Sequence, residues 1–325
     1  MNASAKSNAV HRFVGIPTAP PDSILGLTEA FLADKNPSKM NLSVGVYKDA
    51  SGQTPILKCV KEAERRLIEN EATKGYLSID GLPDYREQVR SLVFGDSLDA
   101  GRVAILQTPG GTGALRVAAD FIVAQLSPTR IWMPSPTWAN HPAIFAAAGL
   151  ASETYRYLGS DRTSFDLAGM LEDLSEKTKP GDAVLLHACC HNPTGVDPTP
   201  EDWKAIAKTV AERQLIPLID FAYQGFGDGI EQDKTGLNTI LEAVDEAIVC
   251  NSFSKNFGLY SERVGSVCLI AADAETTKAA HSQLKTIVRT NYSNPPRHGG
   301  AIVATVLQDA ELTKLWQQEV DEMRE

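Results

Sequence analysis

Short apolar runs alternate along most of the chain with stretches whose apolar residues recur at helical spacing. The runs at 103–107, 131–133, 183–188, 216–220, 247–250 and 266–270 are nearly unbroken in apolar character, as strands buried on both faces are. Residues 58–70, 81–94, 114–125, 141–147 and 201–213 read instead as helices. Ahead of them, Pro17, Pro20 and Pro21 make residues 13–22 an extended arm. Residues 23–34 predict a short helix, with Asp22 at its start and Pro37 beyond its end. Residues 41–47 predict a small apolar strand containing Gly45. The last stretch, 299–325, reads as one long helix with neither a glycine cap nor a proline stop before the sequence ends. Strand and helix in alternation predict an α/β fold, a mostly parallel sheet sandwiched by helices.

Open parallel sheets bind ligands beyond the carboxyl ends of their strands, so chemistry is sought in the segment after each run. After 103–107 comes Thr108-Pro109-Gly110-Gly111-Thr112-Gly113, opening a helix. Bare amides at a positive helix end suit an anion, and a tight turn is the plain alternative. No GxxxxGK[ST] is present, which disfavours a P-loop ATPase. Trp138, after the next run, suits either stacking on a planar ring or filling core. His187, Cys189, Cys190 and His191 carry ligand-type side chains. Successive side chains on an extended strand point to opposite faces, so no metal site is expected from them. Asn192, held extended by Pro193, aims its amide outward from the sheet or marks a turn. Asp220, at the end of 216–220, suits a metal, a ribose or a protonated ring nitrogen, and Tyr223 lies just beyond it. Lys255 sits in the Ser-rich segment Ser252-Phe253-Ser254-Lys255-Asn256-Phe257-Gly258, just past an apolar run. Desolvation and neighbouring cations lower a lysine's pKa, and Schiff-base chemistry needs the neutral amine. A solvated surface lysine is the ordinary alternative.

Composition narrows the classes. The 325 residues are 43% hydrophobic and 22% charged, ordinary for a soluble globular protein. A net charge of -10 argues against a general nucleic-acid or anionic-membrane binder, so any anionic substrate must be held by particular cations. Five cysteines without CxxC spacing suggest neither a disulfide framework nor a zinc ribbon, and fit a reduced, cytoplasmic setting. Residues 1–15 lack the apolar core of a secretory signal, and no run approaches the ~18 apolar residues of a membrane span.

Taken together and in this order, the segments resemble the aspartate aminotransferase family, pyridoxal-phosphate enzymes of fold type I. Ser252-Phe253-Ser254-Lys255-Asn256-Phe257-Gly258 is similar to the family's cofactor-lysine motif, and His191-Asn192-Pro193-Thr194-Gly195 to its second hallmark. The resemblance implies that Lys255 binds pyridoxal 5'-phosphate covalently and then shuttles protons. It implies that Asp220 pairs with the pyridinium nitrogen, that Tyr223 and Asn192 bond the ring's phenolic oxygen, and that Trp138 stacks on the ring. The phosphate is expected on Gly110, Gly111 and Thr112, with Ser252 and Arg263. Tyr76 resembles the tyrosine that reaches the neighbouring subunit's phosphate, implying a homodimer with shared sites. Arg289 resembles the clamp on a substrate's distal carboxylate, and Gly45 lies near the substrate.

The implied organisation is an arm and part of a small domain at 1–47, a large cofactor domain at 48–298, and the start of a long interdomain helix at 299–325. Family members are longer, and their C-terminal segment completes the small domain. It also carries a second arginine, for the substrate's α-carboxylate, to which no residue here is matched. The small domain is therefore expected to be incomplete. The activity implied is ping-pong transfer of the amino group from aspartate to 2-oxoglutarate. An aromatic-amino-acid aminotransferase is the alternative, and a catalytically inactive cofactor-binding or dimerising fragment is the alternative of another class.

Overall fold

The computed structural model describes residues 13–19, 25–40, 45–95, 98–126 and 130–325. The chain divides into a first unit, Met1–Val46, and a second, Tyr47–Glu325. In the first, α1 spans Leu25–Ala33. Its carboxyl end is closed by Lys39, whose ammonium donates to the carbonyls of Phe31 (2.5 Å) and Asp34 (2.6 Å). A cation there satisfies carbonyls left over at a helix end. Residues 45–47 are not a strand, and the rest of the strand expected at 41–47 lies outside the described residues, as do positions 20–24 of the arm and helix start.

Among the described residues, the second unit is built on seven strands: β1 Val103–Pro109, β2 Arg130–Ser135, β3 Ala151–Arg156, β4 Ala183–His187, β5 Ile216–Phe221, β6 Ala247–Ser252 and β7 Val264–Ile270. Their order is β1-β7-β6-β5-β4-β2-β3. Pairing is parallel from β6 through β3, whereas β7 runs antiparallel to both its neighbours, so β1 points the same way as β6. The sheet is thus mostly parallel, as the pattern predicted.

Alternation along each strand divides the core. Leu185, Leu218 and Ile248 face α4 (Gly110–Gln125), α5 (His141–Ala147) and α9 (Ala274–Asn291), where they meet Leu115, Phe145 and Leu284. Val184, Leu186, Ile219 and Val249 face α2 (Lys58–Asn70), α3 (Pro83–Phe94), α6 (Leu167–Lys177), α7 (Pro200–Glu212), α8 (Thr235–Ala243), α10 (Arg297–Gln308) and α11 (Ala310–Arg324). Period two with both faces covered is what makes these strands read as continuous apolar runs.

The single helix expected over 299–325 is broken at Asp309. That residue is extended (φ −107°, ψ 118°), and its side chain accepts from the amides of Glu311 and Leu312, capping α11. Its other oxygen takes a hydrogen bond from Arg66 at 2.7 Å. Cap chemistry and an ion pair outweigh continuity of the helical pattern. The two helices then pack back on the sheet unit. Trp316 stacks on Phe257 at 4.7 Å and donates to the Asn256 carbonyl at 2.8 Å. Glu319 of α11 accepts from the amides of Lys58 (2.6 Å) and Cys59 (3.1 Å), at the start of α2, which has no side-chain cap of its own.

Candidate active site

The carboxyl ends of β1, β5 and β6 meet the start of β7 at one edge of the sheet, since Pro109 pairs with Val264 and Ser252 with Gly265. Three parts of an anion cradle come together there. Gly110 opens α4 at φ +76°, and a Cβ on it would lie 2.5 Å from the Arg263 guanidinium. One on Gly111 would stand 3.1 Å from the Ser252 Cβ. The bare turn therefore lets backbone, hydroxyl and guanidinium share one space, with Thr112 next along the helix. Ser252 Oγ bonds Ser254 Oγ at 3.1 Å, and Arg263, itself at φ +54°, donates to the Tyr260 carbonyl at 2.9 Å.

Lys255 lies three residues past β6, its Nζ 5.0 Å from the centre of the Tyr223 ring. Burial lowers its pKa; Asp220 opposes that shift and Arg263 adds to it. Asp220 is the penultimate residue of β5. Burial pushes its carboxyl up, but the His141 hydrogen bond and the nearby His141, His187 and Lys255 outweigh it and hold the group below its ordinary value. The bond itself, His141 Nε2 to Asp220 Oδ2, is 3.1 Å.

Behind this pair runs a line of polar groups. Thr137 Oγ1 sits 2.8 Å from His141 Nδ1 and 3.4 Å from His187 Nε2, and the Asn192 backbone amide points to His187 Nδ1 at 3.4 Å. Burial pushes His187 down to about 4, so it is neutral at ordinary pH. Asn192 Nδ2 donates to the Tyr223 hydroxyl at 3.3 Å. Trp138, half-buried, meets His141 edge-on at 5.2 Å.

Lys255, Asp220, Tyr223 and Asn192 are thus joined by direct contacts or by charge, as are Gly110, Gly111, Ser252 and Arg263 among themselves. Tyr76 and Arg289 meet elsewhere. They line a cavity of about 650 Å³ with Ser78, Tyr292, Ser293 and Asn294, and Tyr76 is 96% exposed. Gly45 belongs to the first unit. His141, Thr137 and Ser254 had no role assigned from the sequence. His141 comes soon after Trp138 at a strand-to-helix turn, but its partner Asp220 is 79 residues away, and only the fold joins them. β4 ends at His187, so Cys189 and Cys190 lie in a bend and His191 beyond it, rather than on the extended strand expected.

A profile of the aminotransferase class I and II family matches residues 37–325. The aspartate aminotransferase of Haemophilus influenzae is 51% identical over 316 residues, 96% of this chain and 80% of the relative. The aromatic-amino-acid aminotransferase of Pseudomonas aeruginosa is 47% identical over 315 residues, 96% of this chain and 78% of the relative. Among solved structures, an aromatic-amino-acid aminotransferase from Burkholderia pseudomallei, covalently bound to pyridoxal phosphate, is similar with a TM-score of 0.93. It is 44% identical, and the match covers 97% of this chain and 79% of that one.

Proposed function

The chain belongs to the class I and II aminotransferase family, and on that premise we propose that it moves the amino group between L-aspartate and 2-oxoglutarate, reversibly and in ping-pong order, on pyridoxal 5'-phosphate. The observation that carries the reading is the gathering at neighbouring strand ends of Lys255, its Nζ 5.0 Å from the Tyr223 ring, Asn192, bonded to the Tyr223 hydroxyl, and Asp220, bonded to His141 at 3.1 Å. Burial lowers the lysine's pKa, which suits the same chemistry. The rest of the edge fits the same cofactor. A phosphate monoester needs amides at a helix start, a hydroxyl and a guanidinium, and Gly110, Gly111, Thr112, Ser252 and Arg263 offer them in one cradle.

When bound, the cofactor supplies an electron sink for the charge left as an amino acid's α-carbon loses its proton. Lys255 would hold it, and its free amine would carry that proton on Nζ. Asp220 would keep the ring nitrogen protonated, and His141 helps to keep Asp220 charged. Tyr223 and Asn192 would bond the ring oxygen, and Trp138 would stack on the ring. Arg289 pairs with the distal carboxylate of the dicarboxylic substrate. Tyr76, almost fully exposed beside Arg289, reaches the phosphate of a second copy, so the working form is a homodimer. Residues 48–298 act as the large cofactor domain, with 1–47 as the arm and part of the small domain and 299–325 as the start of the segment between domains. A cytoplasmic setting completes the proposal; among the described residues no helix is long and apolar enough to cross a membrane.

Aromatic amino acids are the second reading, supported by the similarity to aromatic-amino-acid aminotransferases. The test is kcat/KM with 2-oxoglutarate as acceptor and aspartate, tyrosine or phenylalanine as donor. Highest kcat/KM for aspartate is expected, and preference for either aromatic donor would replace the first reading with the second. No turnover with any donor, in a chain that still binds the cofactor, would mean a binding or dimerising protein.

A further inference from the structure

The turn between β4 and α7 is held by a carboxylate that the reaction itself does not call on. Cys190 sits at φ +49°, a left-handed conformation that side-chain-bearing residues rarely adopt. Its amide and the next one both point at Asp197: Cys190 N lies 2.5 Å from Oδ2 and His191 N 2.7 Å from Oδ1. Two successive amides converging on one anion form a backbone nest, here filled by the chain's own carboxylate. A second clasp closes the same turn. Thr194 Oγ1 accepts from the Val196 amide at 3.1 Å and lies 2.8 Å from His191 Nδ1, while the Gly195 amide donates to the His191 carbonyl at 2.7 Å. The His191 ring is buried, stacked on Tyr157 at 3.8 Å and set against His187 at 4.3 Å. Tyr157 in turn donates to the Val196 carbonyl at 2.7 Å.

Between the two clasps lies Asn192, whose side chain reaches the Tyr223 hydroxyl and whose backbone amide points at His187. We propose that Asp197 is a positioning residue for the transfer reaction: by filling the nest of Cys190 and His191 it fixes the turn that aims the Asn192 side chain into the site. His191 and Thr194 support it from the other side of the turn. A carboxylate suits the task because it only accepts, and both groups facing it are donors. An asparagine of the same size would turn an N–H toward one of them. The inference rests on the functional reading of Asn192 and Tyr223 as ligands of the ring oxygen.

Two measurements on the full chain test it. The first needs no cofactor: amide hydrogen exchange across residues 188–196 in Asp197→Asn against wild type. Faster exchange at Cys190 and His191 is expected, and unchanged exchange would overturn the nest. The second is a double-mutant cycle on kcat/KM with aspartate. Asp197→Asn and Asn192→Ala should each lower it about tenfold, the scale of one hydrogen bond, and the double variant should fall little further than Asn192→Ala alone. Losses that multiply would mean Asp197 acts by some route other than Asn192, and the proposal fails. A fall in thermal stability with kcat/KM intact would reduce Asp197 to a structural role and also refute it. If Asp197→Asn does not fold, Asp197→Glu, which keeps the charge but shifts it off the two amides, is expected to give the same exchange and the same non-additivity. Failure of the functional reading is separately visible, because wild type would then show no Lys255-dependent visible band with pyridoxal phosphate.

Discussion

Replacing His141 with leucine removes the hydrogen bond that keeps Asp220 charged while leaving an apolar side chain in the space. In the native site two effects oppose each other at Asp220. Burial favours the protonated form, and His141, donating from Nε2 at 3.1 Å, tips the balance toward the carboxylate. Without His141, burial is opposed by Lys255 and, where it is protonated, His187, and the carboxyl's pKa rises. The protonated fraction of Asp220 therefore grows at the acid end of the range; on the proposed reading, an uncharged partner there would no longer hold a proton on the cofactor's ring nitrogen. A hydrogen bond to a charged group is worth about 1.5–3 kcal/mol, or roughly 10- to 150-fold in kcat/KM. The assay is kcat/KM for aspartate as a function of pH. The acid limb of the profile should move to higher pH in His141→Leu, and His141→Asn, which keeps a donor, should recover part of the loss. A profile of unchanged shape, with only a few-fold loss, would refute the reasoning.

Other parts of the molecule give two more expected outcomes. Arg263→Gln keeps a polar side chain in the cradle beside Gly110 but removes the charge, and should weaken pyridoxal-phosphate binding about 10- to 100-fold, measured by equilibrium titration; Arg263→Lys should recover only part because it lacks the planar fork. Glu319→Ala leaves the amides of Lys58 and Cys59 without their carboxylate in a buried place, and should cost about 2–4 kcal/mol and lower Tm by roughly 5–10 °C, read by calorimetry.

Much of this architecture was legible because both faces of the sheet are covered. Val184, Leu185 and Leu186 point to alternate sides, yet all are buried, so the segment stands out as an apolar run. β3 was not seen, because only Tyr155 of its six residues is buried and an edge strand has no such run. Strand direction was not legible either: nothing in Val264–Ile270 marks it as a strand that opposes its neighbours. The break at Asp309 had a local signal, an Asp able to cap the next helix, which the continuing helical pattern on both sides obscured. At the site, Lys255 and the turn at 110–112 could be found because each lies within a contiguous motif. The contacts that set their chemistry could not, since His141 reaches Asp220, and Asn192 reaches Tyr223, only once separate strand ends are brought together. Asp197 was hidden for another reason: a carboxylate in a turn is commonplace until the positive φ of Cys190 shows what it holds.

Whether Lys255 carries pyridoxal phosphate and exchanges it with an amino acid is tested most directly by visible absorption. The spectrum of the chain with pyridoxal phosphate is recorded before and after adding aspartate, beside Lys255→Ala. A band that needs Lys255 and changes to the aminated form on adding aspartate is the expected result. A folded chain that forms no such band, or one whose band persists in Lys255→Ala, would contradict it.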